Sequence, residues 1–361
     1  MAEPLPGVVV VGTGHGCRVH VPAARNAGLN VVAIVGRDSE KTVRRAKRLG
    51  IAHACGSLDE ALKLPGADAV IISTPPGTHA PLAEQVIDAG RHVLVEKPFT
   101  AAAEQARRLR DCAERAGVVA LLGHEFRFDT RRITFRRAIA DGLVGPPRIA
   151  TLIGHNAFAA SAELRMPQWW FDKERGGGWL GASVSHIIDA TRWWLGDFEA
   201  VSVELPMVSA RDPHTHAEDT VNARFRLTSG CEGVLQQSAA VHGALLNLFR
   251  VAGPQGTVDI LDDGVRLSEA GGERMLEPVG PPPIVEMAEG ADPRHPLAHV
   301  EIPPSSLQAT VWRDLIRGVP LMHDALEPAT FADGAECMEI IDAMRRSAAD
   351  GGRLVRVKEV S

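Results

Sequence analysis

The residue types best suited to chemistry lie at the ends of short apolar runs. The chain begins its first such run at Val8-Val9-Val10-Val11 and turns at once through Gly12-Thr13-Gly14-His15-Gly16-Cys17. Glycines at that spacing permit a tight turn and close backbone approach, and the free N–H groups of the helix that follows attract phosphate. Cys17 stands where the third glycine of a G-x-G-x-x-G pattern belongs. A later run, Val93-Leu94-Val95, leads into Glu96-Lys97-Pro98. An amine at a strand end, partly shielded from water, can exchange a proton with a hydroxyl group. A third segment, Gly176 to Asp197, opens on three glycines and carries Ala182, His186 and Asp189 at helical spacing. Such spacing puts the three on one helix face, so a carboxylate can hold the imidazole for acid–base work.

Arg37 and its neighbours bear on the choice of nucleotide. The second apolar run ends Val35-Gly36-Arg37-Asp38, where an NAD-binding fold presents an acidic side chain to the adenosine ribose. Glycine replaces that acid, while Arg37 offers a planar fork for a 2′-phosphate and Lys41 adds charge. NADP is therefore expected ahead of NAD. Asp38 leaves the alternative open, since it can serve the ribose or pair with Arg37.

These residues require a scaffold of alternating strands and helices. Val8 to Val11, Val31 to Val35, Ala69 to Ile72, Val93 to Val95 and Val118 to Leu122 read as buried strands. Ser39 is expected to cap the helix ending at Leu49, Ser57 and Glu60 form a capping box, and Gly28, Gly50 and Gly90 mark helix ends. The pattern predicts a doubly wound parallel α/β sheet whose ligands bind at the strand carboxyl ends. Thr74, Pro75 and His79 follow the run Ala69 to Ile72 and join the expected cofactor contacts with Gly12 to Cys17, Arg37, Glu96 and Lys97. Beyond Gly123 the rhythm becomes antiparallel. A helix over Thr130 to Ala140 precedes strands near Ile149 to Ala157, Ala200 to Val208, Thr220 to Leu227, Glu232 to Ala239, Leu246 to Val251 and Thr257 to Ile260. Residues 1–123 thus form the nucleotide domain and 124–361 an α+β domain with a large, mostly antiparallel open sheet. Glu277 to Pro304, dense in proline and glycine, reads as a lid or an arm, and Leu326 to Ala348 as a closing helix that can pack back on the first domain.

With 361 residues, 45% hydrophobic and a formal charge of −6, the chain has the composition of a globular protein whose main partner is not nucleic acid. No apolar run reaches a membrane span of roughly 20 residues, and the first strand starts too early for a signal peptide, so a cytoplasmic protein is expected. Cys17, Cys55, Cys112, Cys231 and Cys337 are scattered and suggest neither a disulfide framework nor a zinc site. His214 and His216 lie in a polar loop, and no metal spacing is apparent. Trp169, Trp170, Trp179, Trp193 and Trp194 gather near the triple-glycine segment, mostly as core residues.

Together, the glycine turn ending at His20, Glu96-Lys97-Pro98, the stretch from Gly123 to Asp129, Gly145-Pro146-Pro147 and the helix bearing His186 and Asp189 resemble the Gfo/Idh/MocA oxidoreductases. The resemblance spans nearly the whole chain. It implies an NAD(P)-dependent enzyme moving hydride between nicotinamide and a secondary hydroxyl or ketone of a sugar, cyclitol or related ring, with Lys97 and His186 catalytic. It also implies a homodimer or homotetramer built through the open sheet. Gly36-Arg37-Asp38 is similar to the dihydrodiol dehydrogenase members, which use NADP. Inositol dehydrogenase-like members carry an aspartate where this chain has Ala182, which makes inositol a poorer candidate. Glu125, Arg127, Trp170, Asp172, His186 and Asp189 are the expected substrate contacts, and Asp172, Glu125 or Asp189 the replacement acid. Two rival readings are a glycoside-cleaving enzyme that oxidises transiently and a non-enzymatic, cofactor-binding regulator.

Overall fold

The computed structural model describes residues 5–160, 168–173, 176–209, 217–243, 245–281 and 298–358. Two compact units share the chain. The first comprises residues 1–100, 104–129 and 281–335, the second 101–103, 130–280 and 336–361.

The first unit holds six parallel strands, β1 (Gly7–Val11), β2 (Asn30–Val35), β3 (His53–Cys55), β4 (Ala69–Ile72), β5 (His92–Glu96) and β6 (Ala120–Gly123), in the order β3-β2-β1-β4-β5-β6. Strands buried on both faces read as unbroken Val and Ile, which is why β1 and β4 show no polar alternation and are fully buried. The chain reverses direction across the sheet between β1 and β4, the place where such folds take ligands. Helices α1 (Val21–Asn26), α2 (Ser39–Leu49), α3 (Leu58–Leu62), α4 (His79–Asp88) and α5 (Ala103–Ala116) connect the strands. Asp38, not Ser39, caps α2, its side chain accepting the Lys41 N–H at 2.9 Å. Ser57 caps α3 as expected, and Glu60 reaches back to the Gly56 N–H at 2.9 Å.

The segment expected to be a lid, Glu277 to Pro304, is irregular over residues 277–281 and helical from Ala298. Residues 282–297 lie outside the described residues, but from Ala298 the chain forms the helix α8 (Ala298–Ile316), with Pro303 and Pro304 inside it. Proline withholds amide donors and argues for a loop. Packing overrides that preference here, because Ala309 and Trp312 join Val8, Val10, Ile34, Ile71 and Leu94 in one buried core. Asn26 donates to Ser306 Oγ at 2.9 Å and Gln308 to the Leu122 carbonyl at 2.8 Å, which fixes α8 on the first unit.

The second unit is built on a nine-stranded sheet of β7 (Ile149–His155), β8 (Phe198–Glu204), β9 (Thr220–Leu227), β10 (Glu232–Ser238), β11 (Leu246–Ala252), β12 (Thr257–Leu261), β13 (Gly264–Glu269), β14 (Gly272–Met275) and β15 (Val355–Arg356). Its order is β14-β13-β12-β11-β7-β10-β9-β8-β15, antiparallel except between β7 and β10. Alternating burial along β9 and β10 leaves one face of the sheet open. Helices α6 (Thr130–Ala140) and α7 (Ser185–Leu195) belong to this unit. The final helix, α9 (Phe331–Ala349), starts five residues later than Leu326 because Ala329 and Thr330 pair with the edge of β6 instead. Thr330 and Asp333 then cap it reciprocally. Among the described residues no helix is long and apolar enough to cross a membrane.

Candidate active site

The glycine turn after β1 is shaped differently at each glycine. Gly12 has φ 115°, and a Cβ there would lie 2.1 Å from the Ser73 carbonyl oxygen. At Gly16 a Cβ would come within 2.8 Å of Val10 Cγ1, so Gly16 supplies the close packing on the strand that the motif assigns to the next position. Cys17 is simply buried. Around Gly14, by contrast, a Cβ would meet nothing within 4 Å. That open space over a turn, with Ser73 Oγ buried and without a hydrogen-bond partner among the described residues, fits the pyrophosphate of a dinucleotide. The turn runs into a π-helical segment, Gly16–His20, before α1 begins.

Gly36 cannot give way to an acid, since a Cβ there would stand 2.5 Å from Thr42 Oγ1 and 2.6 Å from Thr13 Cγ2. Arg37 is exposed beside it, and Asp38 is engaged as the cap of α2.

At the ends of β4 and β5, His79 is fully buried and spans two loops. Its Nε2 lies 2.7 Å from the Thr74 carbonyl, and its Nδ1 lies 3.0 Å from that of Pro98 and 3.2 Å from that of Phe99. Burial pushes His79 below the ordinary histidine value, opposed by those carbonyls and by the charge of Glu96. The imidazole thus pins Thr74 and Pro75 to the loop carrying Lys97. Lys97 is half-buried, its backbone N–H donates to Glu96 Oε2 at 3.1 Å, and the Lys97–Pro98 bond is cis.

Glu96 is the centre of a charged group that sequence reasoning did not assemble. Its Oε1 lies 2.7 Å from His20 Nε2 and 3.6 Å from His15 Nε2, while His15 Nδ1 lies 3.9 Å from Glu301 Oε2 on α8. Burial alone would favour the neutral acid, yet the two imidazoles hold the Glu96 carboxyl well below the usual range. Burial likewise opposes the His15 cation, but Glu96 and Glu301 outweigh it and raise that residue. His15, His20 and Glu96 bring one donor atom each within 4.8 Å of one another, close enough for a metal ion. Hydrogen bonding and ion pairing within the trio already satisfy those atoms.

Glu125 opens a short helical turn directly after β6, beside Glu96 and Lys97, and is 5% exposed. Burial first, then the Glu96 charge, pushes its carboxyl up to about 8. Arg127, also buried, pairs with Asp333 at 3.1 Å.

In the second unit, His186, Asp189 and Ala182 are all buried. Leu180–Val184 is a π-helical turn that precedes α7, so Ala182 and His186 are separated by a change of helix type. Asp189 lies 4.0 Å from Cys337 Sγ. Trp170 packs tilted against Trp179, ring centroids 5.7 Å apart, and against Trp169 at 5.6 Å, and Asp172 lies in the same turn. One acid was missed from sequence. The Glu218 side chain accepts the Leu180 N–H at 3.0 Å, in space kept open by Gly178, whose Cβ would fall 2.1 Å from Glu218 Oε1. Burial raises its carboxyl. The triple glycine that marked this segment was the available signal. His214 and His216 lie outside the described residues.

Profiles of two Gfo/Idh/MocA domains match the chain. The oxidoreductase family's NAD-binding Rossmann fold covers residues 7–124, and the family's C-terminal domain covers 133–259. The chain belongs to the Gfo/Idh/MocA oxidoreductase family. An uncharacterised oxidoreductase of Synechocystis is 30% identical to this family member over 76% of both chains. D-apiose dehydrogenase of Paraburkholderia graminis is 25% identical over 97% of the chain and 89% of its own. In three dimensions the chain resembles levoglucosan dehydrogenase in complex with NADH and levoglucosan. The TM-score is 0.83 at 22% identity, covering 98% of this chain and all of that one. Membership makes this Gfo/Idh/MocA chain an oxidoreductase with a nicotinamide-binding fold.

Proposed function

We propose that the protein is an NADP-preferring dehydrogenase or reductase acting on a secondary hydroxyl or ketone of a sugar, cyclitol or related ring. One observation carries the reading: the open glycine turn after β1 and Lys97 after β5 both follow the carboxyl ends of strands in one parallel sheet. Gly12 to Cys17, Thr74, Pro75 and Glu96 would hold the dinucleotide, with Arg37 at the 2′-phosphate. NADP supplies the hydride acceptor, and NADPH the donor. Lys97 takes the hydroxyl proton in oxidation and returns it in reduction, limiting charge on the substrate oxygen. His79 keeps the Lys97 loop in place. His186 serves as a further acid or base, and Glu125, Arg127, Trp170, Asp172 and Asp189 are proposed substrate contacts. The names of relatives, D-apiose dehydrogenase and levoglucosan dehydrogenase, support a sugar-like substrate. The exposed side chains Ile149, Val234 and Leu246 on the second sheet support self-association into a dimer or tetramer. The boundary near residue 123 and a cytoplasmic location complete the proposal.

The test is Lys97→Ala, assayed with NADP and NADPH on sugars, sugar acids, cyclitols and their ketones. Turnover should fall by about two orders of magnitude or more while NADPH affinity stays within about threefold. A variant that keeps most of its rate contradicts the assignment.

A further inference from the structure

Two buried carboxyl groups stand at neighbouring strand ends of the first unit. Glu96 closes β5, and Gly123 of β6 is its register partner, so Lys97 and Glu125 leave adjacent parallel strands at the same edge. Glu125 is 5% exposed. Its surroundings are charged on several sides: Glu96 and Lys97 from β5, Glu301 from α8, His124 and Arg127 from its own segment, and His15 beyond Glu96 and Glu301. Environment separates the two acids. Glu96 is held ionised by His15 and His20, whereas burial and the Glu96 charge keep a proton on Glu125 up to about pH 8. Paired carboxyls whose surroundings push them apart in this way mark a division between charge and proton carriage.

We propose that Glu125 is the second proton carrier of the reaction, receiving from Lys97 the proton that leaves the substrate hydroxyl. The inference rests on the proposed function. In the oxidative direction the substrate O–H bond breaks and its proton goes to the Lys97 amine, while the carbon gives up its hydrogen with both electrons to the nicotinamide. The Lys97 ammonium then passes a proton to the Glu125 carboxylate, restoring the amine and leaving a neutral carboxyl. Reduction runs the same transfers backwards. For this cycle Glu125 must lose its proton when a cationic ring binds nearby, because positive charge favours the carboxylate. Binding of NADP, but not of NADPH, therefore releases that proton.

The experiment follows proton release on binding NADP and NADPH, in weakly buffered solution from pH 6.5 to 9, alongside an infrared titration of the ligand-free protein. Wild type should show a carboxylic-acid C=O band that disappears as pH rises through about 8. It should also release up to about half a proton per chain on binding NADP near that pH, and little with NADPH. Glu125→Gln should bind NADP within a few-fold of wild type, lack the titrating band and release several-fold less. Wild type that binds NADP without release, a band absent at pH 7, or equal release from Glu125→Gln overturns the proton-carrier role while leaving the cofactor reading intact. Failure of wild type to bind NADP at all overturns both.

Discussion

In the proposed function Arg37 sets the selectivity of the nucleotide site. Its guanidinium is exposed next to a glycine that cannot become an acid without striking Thr13 and Thr42, and Asp38 is committed to capping α2. A charge-assisted hydrogen bond is worth about 1.5–3 kcal/mol. Arg37→Ala should accordingly weaken NADP binding about 10- to 100-fold and leave NAD binding nearly unchanged, as measured by calorimetry. Equal losses for both nucleotides would contradict a 2′-phosphate contact. Glu96 makes the opposite kind of contribution. Its folded-state value is depressed by His15 and His20, so the stability it confers is present above the ordinary carboxylate range and is lost as pH falls through the lower folded value.

The nucleotide turn is the element on which the site depends, and its glycines separate folding from binding. Gly12→Ala forces a side chain into left-handed backbone and against the Ser73 carbonyl, which should destabilise the fold by about 1–3 kcal/mol. Gly14→Ala meets no protein atom. It should melt with wild-type Tm yet lose at least about tenfold in NADPH affinity, because its methyl enters the space kept for phosphate. A Gly14→Ala protein with full affinity would show that the space serves no ligand. Several elements were legible because burial wrote them into composition: β4 matches Ala69 to Ile72, α6 matches Thr130 to Ala140, and β9 matches Thr220 to Leu227. Others left weaker marks. The helix α8 carries two prolines that signal a loop, β14 is exposed along its length, and the π-helical starts of both glycine-rich helices have no distinct pattern in the sequence.

At the scale of the molecule, the chemistry of the first unit draws on four distant stretches of chain. His15 and His20 follow β1, Glu96 and Lys97 end β5, Glu125 follows β6, and Glu301 arrives on a helix that the chain supplies only after building the second sheet. His15, Glu96, Lys97 and Glu125 could be singled out for their type or their strand end, but Glu301 and the charge balance among them could not, since that balance arises only when α8 packs on the nucleotide fold. The same return of chain keeps Trp312 in the core beneath β1. In the proposed function this edge receives a nicotinamide dinucleotide with its reactive ring beside Lys97. The decisive measurement is a crystal structure of the full chain soaked with NADPH. Pyrophosphate oxygens should lie over Gly12 to Gly16, the 2′-phosphate at Arg37 and the nicotinamide ring within contact of Lys97 Nζ. A ring bound elsewhere, with that amine turned to bulk water, would contradict that function.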